Sequence, residues 1–288
     1  MHILQNSYLK ITAKAPGAEL TSIVKKATNT EYLWQANPTY WGRHAPVLFP
    51  IVGKLKDNTY ILGKKSYTMK QHGLARNSTF KLVENDGFSL YYELKSNKET
   101  LQQYPFPFQL LIQYTLKGKD LIVFYRVTNP STKPLYFSVG GHPAFNCPLL
   151  KGEKRSDYQL VFAQKESATT QRLTDGNRNG VTVPILKNDK VLPITNTLFD
   201  EDALIFDKLK SSKVHLQKGN KKVLSFDFEG FPYLGIWSKN RKSPFVCIEP
   251  WYGIADSTFH NQQLKEKEGI IILEGKKSFE CFYVITIH

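Results

Sequence analysis

Three short segments place a titratable side chain beside residues that fix the backbone. They are Gln71-His72-Gly73-Leu74-Ala75-Arg76, Val139-Gly140-Gly141-His142-Pro143-Ala144-Phe145 and Val246-Cys247-Ile248-Glu249-Pro250-Trp251. Glu249 closes an apolar run. In a strand it shares a face with Phe245 and Cys247, so its carboxyl is expected to be partly desolvated. Burial raises a carboxyl pKa and a neighbouring imidazolium lowers it, which is a setting for a general base. The competing reading is an edge carboxylate paired with a surface lysine. Pro250 is expected to stop the strand and leave Glu249 at a mouth.

His142 follows two glycines, which permit close backbone approach or positive φ. Pro143 biases it toward extended geometry. A histidine framed this way points in one direction and suits proton transfer; equally, it could fill a turn with one hydrogen bond. His72, between polar residues and Gly73, reads by itself as a solvated loop histidine. Asp202 fits a helix cap, a surface acid or a ligand contact. No phosphate-cradling loop, dinucleotide fingerprint or nucleophile elbow occurs. Two histidines and a glutamate could also form a metal triad. None of the seven histidines is followed two residues later by Asp or Glu, which lowers the metal reading, and no metal is expected.

The elements that must position these groups are strands. Gln109–Leu116 and Leu121–Thr128 flank a Lys-Gly-Lys-Asp turn and read as a hairpin. The same pattern recurs at 213–217 with 222–228, and at 270–273 with 278–287. Further strand-like runs cover 8–13, 88–94, 136–139, 158–162, 233–237 and 245–249. Helical periodicity is confined to a turn or two near 98–104, 40–43 and Asp202. The polar stretch 165–179 reads as a long surface loop. Many short strands with frequent turns indicate a sandwich or barrel, and no boundary divides residues 1–288, so one all-β domain with few short helices is expected.

Composition narrows the function. The net charge is +14, carried mostly by lysines scattered in ones and twos near turns. That pattern speaks of a solvated surface rather than nucleic-acid binding; an anionic sugar is a somewhat better reason for it. Three cysteines without a Cys-x-x-Cys spacing suit a reducing compartment. The N-terminus lacks a signal-peptide pattern and no apolar run approaches a membrane span. A cytoplasmic protein, monomer or homodimer, is expected.

Taken together and in this order, the segments resemble the aldose 1-epimerase (galactose mutarotase) superfamily, nearest its LacX-like branch. The resemblance begins at Trp41-Gly42-Arg43-His44-Ala45-Pro46-Val47-Leu48-Phe49-Pro50 and spans nearly the whole chain. Gly140-Gly141-His142-Pro143-Ala144-Phe145 is its most specific piece. It implies a large β-supersandwich with a sugar in an open cleft. The family's catalytic glutamate falls on Glu249, its catalytic histidine on His142 and a second, polarising histidine on His72. A hydroxyl-binding aspartate falls on Asp202.

The implied reaction is exchange of α and β anomers by ring opening and closure. It needs one acid and one base but no cofactor. One carboxylate with two imidazoles suits this better than the paired carboxylates of glycoside hydrolysis. The alternatives are a hexose-6-phosphate 1-epimerase and a carbohydrate-binding domain without turnover. One departure stands out. Where galactose mutarotases carry Gly-Arg-x-x-Asn-Arg, this chain has Gly53-Lys54-Leu55-Lys56-Asp57-Asn58. The substrate-binding cation is then expected from Lys54, Arg43 or Arg76, and activity on galactose is not implied.

Overall fold

The computed structural model describes residues 1–288 and is built almost entirely of antiparallel strands. Its largest layer is a nine-stranded sheet. In spatial order its strands are Asp189–Pro193, Tyr158–Glu166, Lys213–Lys218, Lys221–Asp227, Ser278–Ile287, Asp120–Thr128, Gln109–Lys117, Ser89–Lys95 and Lys81–Asn85. Alternation drives it. Leu110, Ile112, Tyr114 and Leu116 point inward from one strand, and Leu121, Val123, Tyr125 and Val127 from its neighbour. The period of two puts every second side chain on the core face.

The second layer is a six-stranded sheet. Its main path runs Leu204–Phe206, Tyr233–Trp237, Phe245–Tyr252, Val139–Gly141, Val47–Leu48, with Ala144–Asn146 also paired to Phe245–Tyr252. The two sheets pack face to face. Gly141 sits where an added Cβ would lie 2.9 Å from the Tyr283 hydroxyl and 3.0 Å from that of Tyr125. One continuous core of 64 buried residues runs from Leu4 to Ile287. This is the all-β supersandwich expected. No helix is long and apolar enough to cross a membrane.

Several local expectations are corrected. Residues 165–179 do not form a loop: Thr169–Thr174 and Asn177–Pro184 make a hairpin, with polar side chains on both faces that hid its period. Ile271–Leu273 does not pair with Ser278–Ile287 but with Leu135–Phe137; the turn between them packs on Thr132 so closely that a Cβ added at Gly275 would lie 2.6 Å from the Thr132 backbone. Of the three helical stretches, one folds as an α-helix, Lys98–Gln103, capped by Asn97 and Thr100; residues 40–43 and those around Asp202 are turns and bends.

Candidate active site

The strand Phe245–Tyr252 divides the molecule. Val246 and Ile248 face the core, whereas Phe245, Cys247, Glu249 and Trp251 project from the other face. That second face is the floor of a cleft of about 520 Å³. The strand runs on through Pro250 to Tyr252, contrary to the expected stop. The reason lies in the direction of its N–H groups. Ile248 N–H donates to Pro143 O, so the even-numbered donors face the strands 139–146. The donor that Pro250 lacks would have pointed there, and pairing with Tyr233–Trp237 is untouched.

Register explains the central contact. Gly140 lies opposite Trp251 and Ala144 opposite Cys247. Counting two residues inward from either pair puts His142 opposite Glu249. Ile248 and Pro143 are hydrogen-bonded, so His142 and Glu249 form the adjacent non-hydrogen-bonded pair, the kind in which facing side chains come closest. His142 Nε2 lies 3.2 Å from Glu249 Oε2. No hydrogen bond joins them in this geometry, and Glu249 Oε2 and His142 Nδ1 are both buried without a partner. Trp41 stacks on His142 with ring centroids 4.9 Å apart, and Trp237 and His72 each meet it edge-on at 5.6 Å.

His72 is held by a different device. It occupies the left-handed region at φ 65°, with Gly73 following at φ 72°. A Cβ on Gly73 would lie 2.3 Å from Phe49 O, so the glycine is required by both its conformation and its surroundings. His72 N–H donates to Gly53 O, and Gly53 N–H donates back to His72 Nδ1 at 3.1 Å. Because Nδ1 accepts, the ring proton sits on Nε2, on the cleft side. His72 is therefore buried and anchored rather than a solvated loop residue.

Electrostatics drive these groups toward their neutral forms. Burial pushes the Glu249 carboxyl well above its usual range; the indole of Trp251 partly offsets this and Asp202 adds to it. Burial pulls His142 down to about 3, helped by the charges of Arg76 and Arg43. His72 is lowered well below 6.5 by burial, then by His142, Arg76 and Arg43. Burial thus biases both members of the Glu249–His142 pair toward their neutral forms, and a pair this close titrates as a unit.

Other expected site residues divide. Arg76 and Asp202 line the cleft. Arg76 is anchored through a 2.6 Å bond to Gln71 O, and burial with nearby Arg43 lowers it to about 10. Asp202 is exposed at φ 75°. Arg43 does not line the cleft: it binds Arg76 O and Asn77 Oδ1 and so props the loop that carries Arg76. Lys54 is turned away to Asp175 O. The lining also includes Trp41, Gln71, Trp237, Lys239 and Trp251, none of which was singled out as a site residue. Trp251 lies flat across two strands: a Cβ on Gly140 would be 2.8 Å from its Cδ1, and one on Gly235 2.4 Å from its Cη2. The pairing of Trp251 with two glycines becomes visible only once the register is known.

Comparison with known proteins places this all-β sandwich in one family. The aldose 1-epimerase family pattern covers residues 1–270, and the chain belongs to that family. Among its relatives is the chromosomally encoded protein LacX of Lactococcus lactis subsp. lactis, 38% identical, with 99% of this chain and 98% of that protein aligned. Two solved structures are similar over essentially their full lengths. A galactose mutarotase related enzyme from Lactobacillus acidophilus is 36% identical with a TM-score of 0.95, covering 100% of this chain and 97% of that one. A galactose mutarotase-like protein from Lactobacillus casei ATCC 334 is 33% identical with a TM-score of 0.92, covering 100% of both.

Proposed function

We propose that this protein interconverts the α and β anomers of an aldose by acid–base ring opening and reclosure. The observation that carries the reading is the 3.2 Å approach of two buried groups, His142 Nε2 and Glu249 Oε2, beside a second imidazole, His72, whose Nδ1 accepts from Gly53 N–H. Opening the ring removes a proton from the C1 hydroxyl and delivers one to the ring oxygen. Glu249 takes the first and His142 gives the second. In this reading the pair carries one proton, which resides on His142 once sugar hydroxyls solvate the Glu249 carboxylate. Closure on the other face reverses both transfers, so the pair is regenerated without an external acid or base. His72 donates Nε2–H to the oxygen on which charge develops, and Arg76 and Asp202 hold the remaining hydroxyls. The indoles of Trp41, Trp237 and Trp251 offer apolar faces to the sugar ring.

One observation favours an anionic sugar as substrate. Lys239 stands exposed at the cleft without any carboxylate partner, and Arg76 Nε is buried without one. A hexose 6-phosphate is therefore the second reading, with the same chemistry.

Anomer exchange measured by NMR on glucose, galactose and their 6-phosphates tests both. Glu249→Gln should keep the shape of the cleft and lose about a hundred- to ten-thousand-fold in rate, the usual contribution of one positioned base. A variant with full activity would refute the role of Glu249. Sugar binding without exchange on any substrate would replace the enzyme by a carbohydrate-binding domain.

A further inference from the structure

Just beneath the floor of the cleft lies a third group that the proposed reaction does not use. Cys247 precedes Glu249 by two residues on the same face of the strand, so its thiol points to the same side. The ligating atoms of His142, Cys247 and Glu249 all lie within 4.8 Å of one another, and all three residues are buried. Glu249 Oε2 and His142 Nδ1 have no hydrogen-bond partner. The other buried cysteines, Cys147 and Cys281, have no such company.

We propose that His142, Cys247 and Glu249 form an inhibitory site for a thiophilic divalent cation such as Zn²⁺ or Cd²⁺. In a tetrahedral zinc site, a nitrogen and an oxygen ligand stand roughly 3.3 Å apart, given metal–ligand distances of about 2.0–2.2 Å. His142 Nε2 and Glu249 Oε2 already stand 3.2 Å apart. The sulfur lies within 4.8 Å of both and needs to close in by no more than roughly 1.3 Å, which rotation about its Cα–Cβ bond can supply. A thiolate, an imidazole and one carboxylate select a borderline or soft ion over Mg²⁺ or Ca²⁺, which want oxygen ligands. On binding, the thiol releases its proton and any proton held by the carboxyl is displaced. The fourth position opens on the cleft. His72 is not a ligand, because Gly53 N–H occupies its Nδ1; this set therefore differs from the two-histidine triad weighed from sequence. A bound ion takes the lone pairs that proton transfer requires and sits where the sugar would, so ion and sugar exclude each other.

The binding arm of this inference is independent of turnover; the inhibition arm rests on the proposed reaction. Full-length protein is titrated with Cd²⁺ and followed by the ultraviolet thiolate-to-cadmium charge-transfer band and by cadmium NMR, whose shift separates sulfur from purely nitrogen and oxygen ligation. The wild type should bind one ion with a sulfur signature, reversed by EDTA. Cys247→Ala and the closer replacement Cys247→Ser should lose the band and at least about 10-fold in affinity, the scale seen even for outer-shell partners. Both should keep basal anomer exchange while losing its inhibition by Zn²⁺. Absence of a sulfur signature in the wild type, or unchanged affinity in either folded variant, overturns the site. If binding appears in a protein that exchanges no sugar, the metal site stands and the proposed reaction falls.

Discussion

Replacing His72 by asparagine should flatten the acid side of the stability curve by one proton. His72 is buried and its pKa lies well below 6.5 because burial and the neighbouring cations oppose its charge. The unfolded chain titrates near 6.5. A depressed folded pKa gives stability that is present above the unfolded value and is lost as pH falls toward the folded one. Each pH unit in that window is worth about 1.4 kcal/mol. Between pH 7 and pH 5, His72 therefore removes up to about 2 kcal/mol of stability, reached in full when the folded ring stays neutral across that range. Asparagine suits the position. It tolerates the left-handed backbone, and its side-chain carbonyl can accept the Gly53 N–H that His72 Nδ1 now accepts. The measurement is urea denaturation of both proteins at the two pH values, comparing the change in unfolding free energy. His142 and His215, lowered to about 3 and about 4, are common to both proteins, so their slopes cancel in the comparison. Wild type should lose about 2 kcal/mol more than His72→Asn between pH 7 and 5. Equal losses would mean that folded His72 accepts a proton in this range, and the neutral Nε2–H donor assigned to it would be wrong.

Three other substitutions probe the frame. Gly235→Ala places a methyl where Trp251 ring atoms lie 2.4 Å away; thermal unfolding should show a loss of about 1–3 kcal/mol from overpacking, together with weaker sugar binding as the indole tips. Lys267 and Asp256, each 1% exposed and 2.8 Å apart, tie the segment after Gly53 to the end of the cleft strand, because Asp256 also accepts the Lys56 N–H. Lys267→Met should cost about 3–5 kcal/mol in denaturant titration, the penalty for stranding a buried charge. Arg76→Lys should raise KM for the sugar by about 10- to 100-fold with less effect on kcat, the loss of one charged hydrogen bond; steady-state anomer exchange separates the two.

The hairpins with clean alternation, such as 109–116 with 121–128, were legible because one face meets the core and the other meets water. The pairing of Ile271–Leu273 was not, since the choice between two partners was made by packing of Gly275 on Thr132. Pro250 misled for a related reason: a proline ends a ladder only on the edge toward which its missing donor points. Among the site residues, Glu249, His142, His72, Asp202 and Arg76 reach one cleft. The two basic residues that miss it, Arg43 and Lys54, are captured by backbone carbonyls of neighbouring loops, contacts that no local pattern encodes. The same holds for Lys239, a surface lysine by every sequence criterion.

The meeting of His142 and Glu249 follows from register rather than from loop geometry. The 106 residues of intervening chain are irrelevant once Gly140 faces Trp251 and Ala144 faces Cys247, because His142 then has a single position available to it. The glycines on either side serve that register. Gly141 lets the strand lie down on the Tyr125 and Tyr283 hydroxyls, and Gly140 makes room for the Trp251 ring. A buried carboxyl with an unpartnered oxygen destabilises the fold that carries it. Here the opposite face of the same strand is fixed in the main core through Val246 and Ile248, which offsets that penalty and leaves the pair no freedom to relax apart. In the proposed reaction that fixed 3.2 Å spacing keeps acid and base within reach of one sugar, and aligning the pair for proton transfer is left to the bound substrate.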